Sequence, residues 1–107
     1  MSYEVLLSPE AIRDLQEIHR YIAAELQSPQ NAAAQLARLE QRIYALDELP
    51  LRHHIYDREP WRSRGLRVMP VDNYLVFYIS EQSKKTVTVL RVMYGRRDVA
   101  VQLILSE

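Results

Sequence analysis

The stretch from Leu66 to Asp98, LRVMPVDNYLVFYISEQSKKTVTVLRVMYGRRD, narrows the folds open to this chain more than any other. Two of its segments, Tyr74–Ile79 and Thr86–Tyr94, consist almost wholly of β-branched, aromatic and aliphatic residues, which is strand composition. Between them, Glu81–Lys85 is polar throughout and has the length of a hairpin loop. A shorter run, Leu66–Met69, precedes them across Pro70-Val71-Asp72-Asn73, where Asp and Asn favour a tight turn. The pattern predicts three consecutive antiparallel strands, a meander. Side chains alternate across a strand, so Leu75, Phe77 and Ile79 share one face and Tyr74, Val76 and Tyr78 the other. By the same rule Val87, Val89, Arg91 and Met93 oppose Thr86, Thr88, Leu90, Val92 and Tyr94. Both faces carry large side chains, so both need cover.

Upstream, Tyr3–Leu7 is a short strand candidate ended by Ser8-Pro9. Ser8 suits a helix N-cap, Pro9 the first helical position, and Glu10 the positive end of the helix dipole. Ile12, Leu15, Ile18/His19, Ile22 and Leu26 then recur at three- and four-residue spacing, the stripe of an amphipathic helix. Ser28-Pro29 repeats the start signal, with Ala33, Leu36, Leu39, Ile43 and Leu46 on one side and Pro50 closing the run. So short a connection makes the two helices an antiparallel hairpin. Its apolar stripe covers one face of the sheet, and the other face is left to the tail Val99–Leu105 or to a second protein. Residues 51–65, LRHHIYDREPWRSRG, show no sustained period and form a basic connection anchored by Trp61.

This order predicts an α+β fold in a single domain spanning 1–107, long enough to bury a core without staples. There is no cysteine, hence no disulfide framework, and a reducing cytoplasm is the expected compartment. No apolar run approaches the roughly 20 residues that cross a bilayer, and the N-terminus lacks a basic leader, so no membrane association is expected. Formal net charge is zero, yet residues 1–50 carry four basic and eight acidic side chains and residues 51–107 ten basic and six acidic. Arginine supplies 12 of the 14 basic residues, which suits bidentate contact with phosphate or carboxylate. The polarity points to a basic face for an anionic partner, against arginines that merely pair with neighbouring acids.

The order strand, helical hairpin, three-strand meander and basic terminus resembles the RelE/ParE superfamily of toxins from type II toxin-antitoxin modules. The resemblance spans nearly the whole chain and rests most on Gly65-Leu66-Arg67, Tyr74–Tyr78 and Leu90–Asp98 taken together. It implies a cognate antitoxin whose segment folds as it wraps the toxin's apolar surfaces. It also implies one of two activities causing growth arrest, the basis of plasmid stabilisation. ParE-like members inhibit DNA gyrase and are not enzymes. RelE-like members are metal-independent endoribonucleases that cut mRNA on the ribosome, as mRNA interferases. A third possibility is a degenerate member that only binds its antitoxin. Neither activity implies a cofactor.

Cleavage through the ribose 2′-OH needs a base, cations around the phosphate and an acid for the leaving oxygen. On the RelE-like reading, Arg91, Tyr94 and Arg97 are the catalytic candidates, with His53 or His54 as a possible base. Two departures weaken it: Leu75 stands after Tyr74 where those toxins place an arginine, and no tyrosine follows the terminal cluster. The runs GLRVMPVDNYLVFY and VLRVMYGRRD resemble the ParE-like pattern more smoothly. Arg64, Arg67, Arg96 and Arg97 are candidates for a basic rim that binds nucleic acid or another target, with Asp98 orienting one of them. Arg91, amid apolar neighbours, either pairs with an acid or lines the functional concavity. The adjacent histidines point apart and have no third ligand at metal-binding spacing, so no metal is expected.

Overall fold

A computed structural model of the chain describes residues 2–25, 28–95 and 99–105. Strand β1 (Glu4–Leu7) leads into helices α1 (Pro9–Glu25) and α2 (Pro29–Tyr44). Two single 3-10 turns, Ala45–Asp47 and Pro50–Arg52, then bring the chain to a short strand, β2 (His54–Ile55). Strands β3 (Arg67–Val71), β4 (Tyr74–Glu81) and β5 (Thr86–Tyr94) form the predicted meander, and helix α3 (Val99–Leu105) follows. The strands make one sheet in the order β1-β5-β4-β3-β2, antiparallel except for the parallel β1–β5 pair. The fold is α+β, as the sequence pattern predicts.

Local chemistry starts each helix. The Ser8 hydroxyl accepts from the Ala11 amide at 3.0 Å and donates to the Leu90 carbonyl at 2.8 Å, so one side chain caps α1 and ties it to β5. Ser28 occupies the corresponding place before α2, but its hydroxyl makes no capping bond and Pro29 alone marks the start. On α1 the inward face is Ala11, Leu15, Ile18 and Ile22, while Ile12 and His19 turn to solvent. On α2 it is Ala32, Leu36, Leu39 and Ile43, and Ala33 is exposed. Both stripes are thus rotated at their first positions from the pattern read in the sequence. The reason is close approach: fully buried Ala11 sits where Ser8 straps α1 onto the sheet. Leu26 lies outside the described residues.

The hairpin packs on Met69, Val71, Tyr74, Val76, Tyr78, Val87, Val89 and Val92, which form one core with Leu15, Leu39, Ile43 and Leu46. Burying each such aliphatic side chain contributes about 1.5–3 kcal/mol. The opposite face carries Phe77, Met93, Leu75, Ile79, Leu90 and Val68. It is covered by Trp61 and Leu66 from the long connection and by Leu103 of α3, so the chain itself supplies that cover. The connection holds its shape through paired backbone groups: Leu66 N–H to the Trp61 carbonyl at 3.1 Å and Tyr56 N–H to the Leu66 carbonyl at 2.7 Å. Gly65 between them has φ +80°, a region that a side chain would disfavour.

Two details differ from strict alternation. Strand β3 runs on through Pro70, which the sequence assigns to a turn; β2 pairs only with Arg67 and Val68, so Pro70 needs no N–H on that side. In β5 the pairing jumps from Tyr78↔Val89 to Phe77↔Arg91, leaving Leu90 as the extra residue of a bulge. The bulge reverses the phase, so Val92 joins the helix-side core with Val87 and Val89, while Met93 joins the other core with Leu90. Truncating Trp61→Ala should cost about 3 kcal/mol or more, read from urea unfolding followed by circular dichroism. A loss below about 1 kcal/mol would show that the connection is a surface loop rather than part of this second core.

Candidate functional site

Beyond Leu7, β1 no longer covers the outer edge of β5. The backbone there is satisfied by side chains: the Ser8 hydroxyl donates to the Leu90 carbonyl, and Val92 N–H donates to Asp14 Oδ2 at 2.9 Å. The Asp14 carboxylate from α1 therefore stands where a neighbouring strand would be. Arg91 closes on the same carboxylate from β5, with Nε donating to Oδ2 at 2.7 Å and Nη2 to Oδ1 at 2.9 Å. Its Nη1 donates to the Gln102 carbonyl in α3 at 3.2 Å. The two side chains are 11% and 12% exposed. The hydrogen bond to Asp14, opposed by burial, raises the Arg91 pKa above its ordinary value. Of the two roles open in the sequence, Arg91 takes the pairing role, and its bidentate fork is filled.

A second group gathers where α2 ends and β2 and β3 begin. Arg67 Nη1 donates to the carbonyls of Leu51 (3.1 Å) and His53 (2.6 Å), and the Tyr78 hydroxyl donates to the Pro50 carbonyl at 2.5 Å. Burial pushes the Tyr78 pKa up to about 12. The His53 ring stands edge-on to Tyr78 at 6.2 Å, with Nε2 buried and without a hydrogen-bond partner. Burial first, and then the charges of Arg52, Arg42, His54 and Arg67, push its pKa below the usual 6.5. His54 is exposed on β2, and the Arg64 guanidinium lies 5.0 Å above the Trp61 ring.

Tyr94 lies at the other end of the meander. It pairs with Tyr74, whereas Arg67 pairs with Tyr78, and four residues of β4 separate the two by about 13 Å. There the hairpin and the sheet end enclose a groove of about 760 Å³ with Tyr21, Tyr74 and Tyr94 on its walls beside Glu17, Arg38 and Asn73. Tyr94 meets Tyr74 edge-on at 5.7 Å. Burial, then the neighbouring Tyr94 and Tyr21, raise the Tyr74 pKa above 10.0. Asp72 in the β3–β4 turn accepts from Arg38 Nε and Gln35 Nε2, both at 2.9 Å, and these bonds hold its carboxyl below the ordinary range.

The nominated residues thus divide: His53 and His54 lie with Arg67, Arg64 lies on Trp61, and Arg91 is held in its ion pair with Asp14, which lines the same groove as Tyr94. Arg96 and Arg97 lie outside the described residues, as does Asp98. Among the described residues no group of three or more His, Asp or Glu side chains is placed to hold a metal ion. No helix among them is long and apolar enough to cross a membrane. Sequence reasoning missed Asp14, Asp72 and the two arginines beside His53, Arg42 and Arg52. Asp14 follows the α1 stripe as an ordinary polar residue, and nothing local links it to an arginine 77 positions away.

A family model described as "ParE toxin of type II toxin-antitoxin system, parDE" matches residues 5–99. No curated protein matches the chain. Among solved structures it is similar to the toxin-antitoxin complex RelBE2 of Mycobacterium tuberculosis, with TM-score 0.66 and 24% identity over 88% of this chain and 99% of that one. It is also similar to the chromosomal ParDE system of P. aeruginosa, with TM-score 0.71 and 16% identity over 87% of this chain and 96% of that one. A mutant of the E. coli toxin RelE in the free state superposes with TM-score 0.63 and 12% identity, over 95% of this chain and 93% of that one. At these identities the structures speak for the fold.

Asp14→Ala should destabilise the protein by about 3 kcal/mol, because it strands a buried guanidinium and the Val92 amide. In a double-mutant cycle with Arg91→Met, thermal melts should give a coupling of about 1 kcal/mol or more; simple additivity would refute the clasp. A second outcome concerns acid. His53 has a folded pKa below its unfolded value of 6.5, so its contribution is intact above that pH. As pH falls below 6.5 the unfolded chain takes up the proton first, and stability is lost. The melting temperature should drop between pH 7 and 5, and His53→Gln should flatten that drop; identical slopes would remove His53 as the cause.

Proposed function

The chain belongs to the family of ParE toxins of type II toxin-antitoxin systems, and from that premise we propose that it arrests growth by binding DNA gyrase rather than by cutting nucleic acid. The observation that carries this reading is the Asp14–Arg91 clasp. A nuclease of the related kind needs base, cations and acid converging within hydrogen-bond reach of one phosphate. Arg91 instead spends its fork on Asp14 and its remaining amino group on the Gln102 carbonyl. Tyr94 stands about 13 Å along the sheet from Arg67 and the His53–His54 pair. Leu75 follows Tyr74 where the nuclease-type pattern has an arginine.

In this reading Arg64, Arg67, Arg96 and Arg97 remain the basic candidates for contact with the target, and no cofactor takes part. The M. tuberculosis and Pyrococcus horikoshii structures similar to this chain are toxin-antitoxin complexes. A cognate antitoxin is accordingly the neutralising partner, wrapping apolar surface that the toxin leaves bare, and the site of action is the cytoplasm. In a plasmid supercoiling assay the purified protein should block gyrase. In a parallel translation reaction, primer extension should find the mRNA intact. Ribosome-dependent cuts with normal supercoiling would overturn this reading and make Arg91, Tyr94, Arg97 and His53 or His54 the residues to test for catalysis.

A further inference from the structure

The corner between the end of α2 and the start of β3 combines features that the core does not explain. Leu49 has φ +49°, the left-handed region in which a leucine is strained, yet its side chain is 71% exposed. The Leu49 backbone opens the Pro50–Arg52 turn, its carbonyl accepting from Arg52 N–H at 3.3 Å, while its side chain is left largely in solvent. Tyr44, Leu51 and Ile55 are exposed within the same short stretch, so four of the large apolar side chains open to solvent fall between positions 44 and 55. Ile55 also lies on β2, the outermost strand of the sheet.

Arginine and histidine side chains are interleaved with these. Arg42, Arg52 and His54 are exposed, and Arg67 is half-buried beneath them. All four bear on His53, so they share one neighbourhood. Among the described residues none of the three arginines is within ion-pair distance of a carboxylate. Asp47 and Glu48 of the same stretch pair with none of them, and the nearby Asp72 is held by Arg38 and Gln35. The corner therefore presents arginines that make no ion pair among the described residues, around exposed aliphatic side chains and on a backbone pinned by the Arg67 and Tyr78 hydrogen bonds.

We propose that this corner, centred on Leu49, Leu51, Arg52 and Ile55, is the surface by which the toxin docks on its target protein, and that it fits a partner patch of carboxylates interleaved with apolar side chains. The inference rests on the reading of the chain as a gyrase-binding toxin and names the surface used. A nucleic-acid backbone answers the arginines but leaves Leu49, Leu51 and Ile55 in water, whereas a protein patch of that composition buries both kinds of group. The pinned backbone means little is lost in ordering the surface on contact.

Two variants separate docking from folding. Leu49→Gly removes the exposed side chain at a φ that glycine accepts without strain, so its melting temperature should hold or rise. Arg52→Glu reverses one charge at an exposed position, and Arg13→Glu on α1 is the control. Half-inhibition of supercoiling by purified gyrase should need at least tenfold more Leu49→Gly or Arg52→Glu protein than wild type, while Arg13→Glu matches wild type. Variants as potent as an active wild type overturn the proposal and leave gyrase binding standing. A wild type inert toward gyrase ends the functional reading, and this surface assignment with it. Binding of a short single-stranded oligonucleotide that is lost in Arg52→Glu but kept in Leu49→Gly would make the corner a phosphate site and overturn the proposal.

Discussion

The fold turns on the carboxylate of Asp14. It accepts the Val92 amide and both limbs of the Arg91 fork, and Arg91 in turn holds the Gln102 carbonyl. One small group thereby joins the first helix, the central meander and the last helix. An ion pair this buried adds little net stability over a well-packed apolar pair, because desolvation offsets the attraction. Its value here is positional. Strand β1 stops at Leu7, and an open edge on β5 would invite pairing with another chain. Asp14 fills that edge with a group that only α1, docked at one height and one rotation, can deliver.

The bulge at Leu90 makes the clasp possible. Under strict alternation Arg91 would share a face with Val87 and Val89, and its charge would lie beneath the helical hairpin. The extra residue puts Arg91 in register with Phe77 on the opposite face, from which its side chain reaches Asp14 and α3. The same phase change sends Val92 to the hairpin core and Met93 to the core under Trp61. A single insertion thus serves two cores and one ion pair. That is a structural reason for a charged residue in an otherwise apolar strand.

Which parts were legible in the sequence follows from how local their causes are. The meander, the two Ser-Pro helix starts and the Trp61 anchor each depend on neighbouring residues, and each is found where the pattern puts it except that β3 runs on through Pro70 and Val71. The helix stripes slip at Ile12 and Ala33 because period alone does not say how closely a helix sits on its sheet; Ala11 and Ala32 do. The bulge left no mark, since Val-Leu-Arg-Val reads equally well in either phase. Arg91 stands out in the sequence as a charge amid apolar residues, but its partner lies in another element altogether. Long-range side-chain pairing is the information that a pattern of apolar spacings does not carry.

Charge shows the same limit and leads back to function. The acidic first half and basic second half look in the sequence like a face for an anionic partner. In the fold, part of that charge is paired internally: Asp14 with Arg91 across the two halves, Asp72 with Arg38 in the opposite sense, and Asp57 with Arg62 inside the second half. What matters to a partner is the charge left over, and where it is left. Among the described residues Arg42 and Arg52 have no carboxylate within ion-pair distance, at a corner that also exposes Leu49, Leu51 and Ile55. Long-range attraction from such a corner speeds encounter, while the aliphatic side chains give release a cost that salt does not screen. A surface of purely basic residues would bind any polyanion in the cell. Interleaving leucine with arginine restricts the match to a surface that offers both kinds of complement.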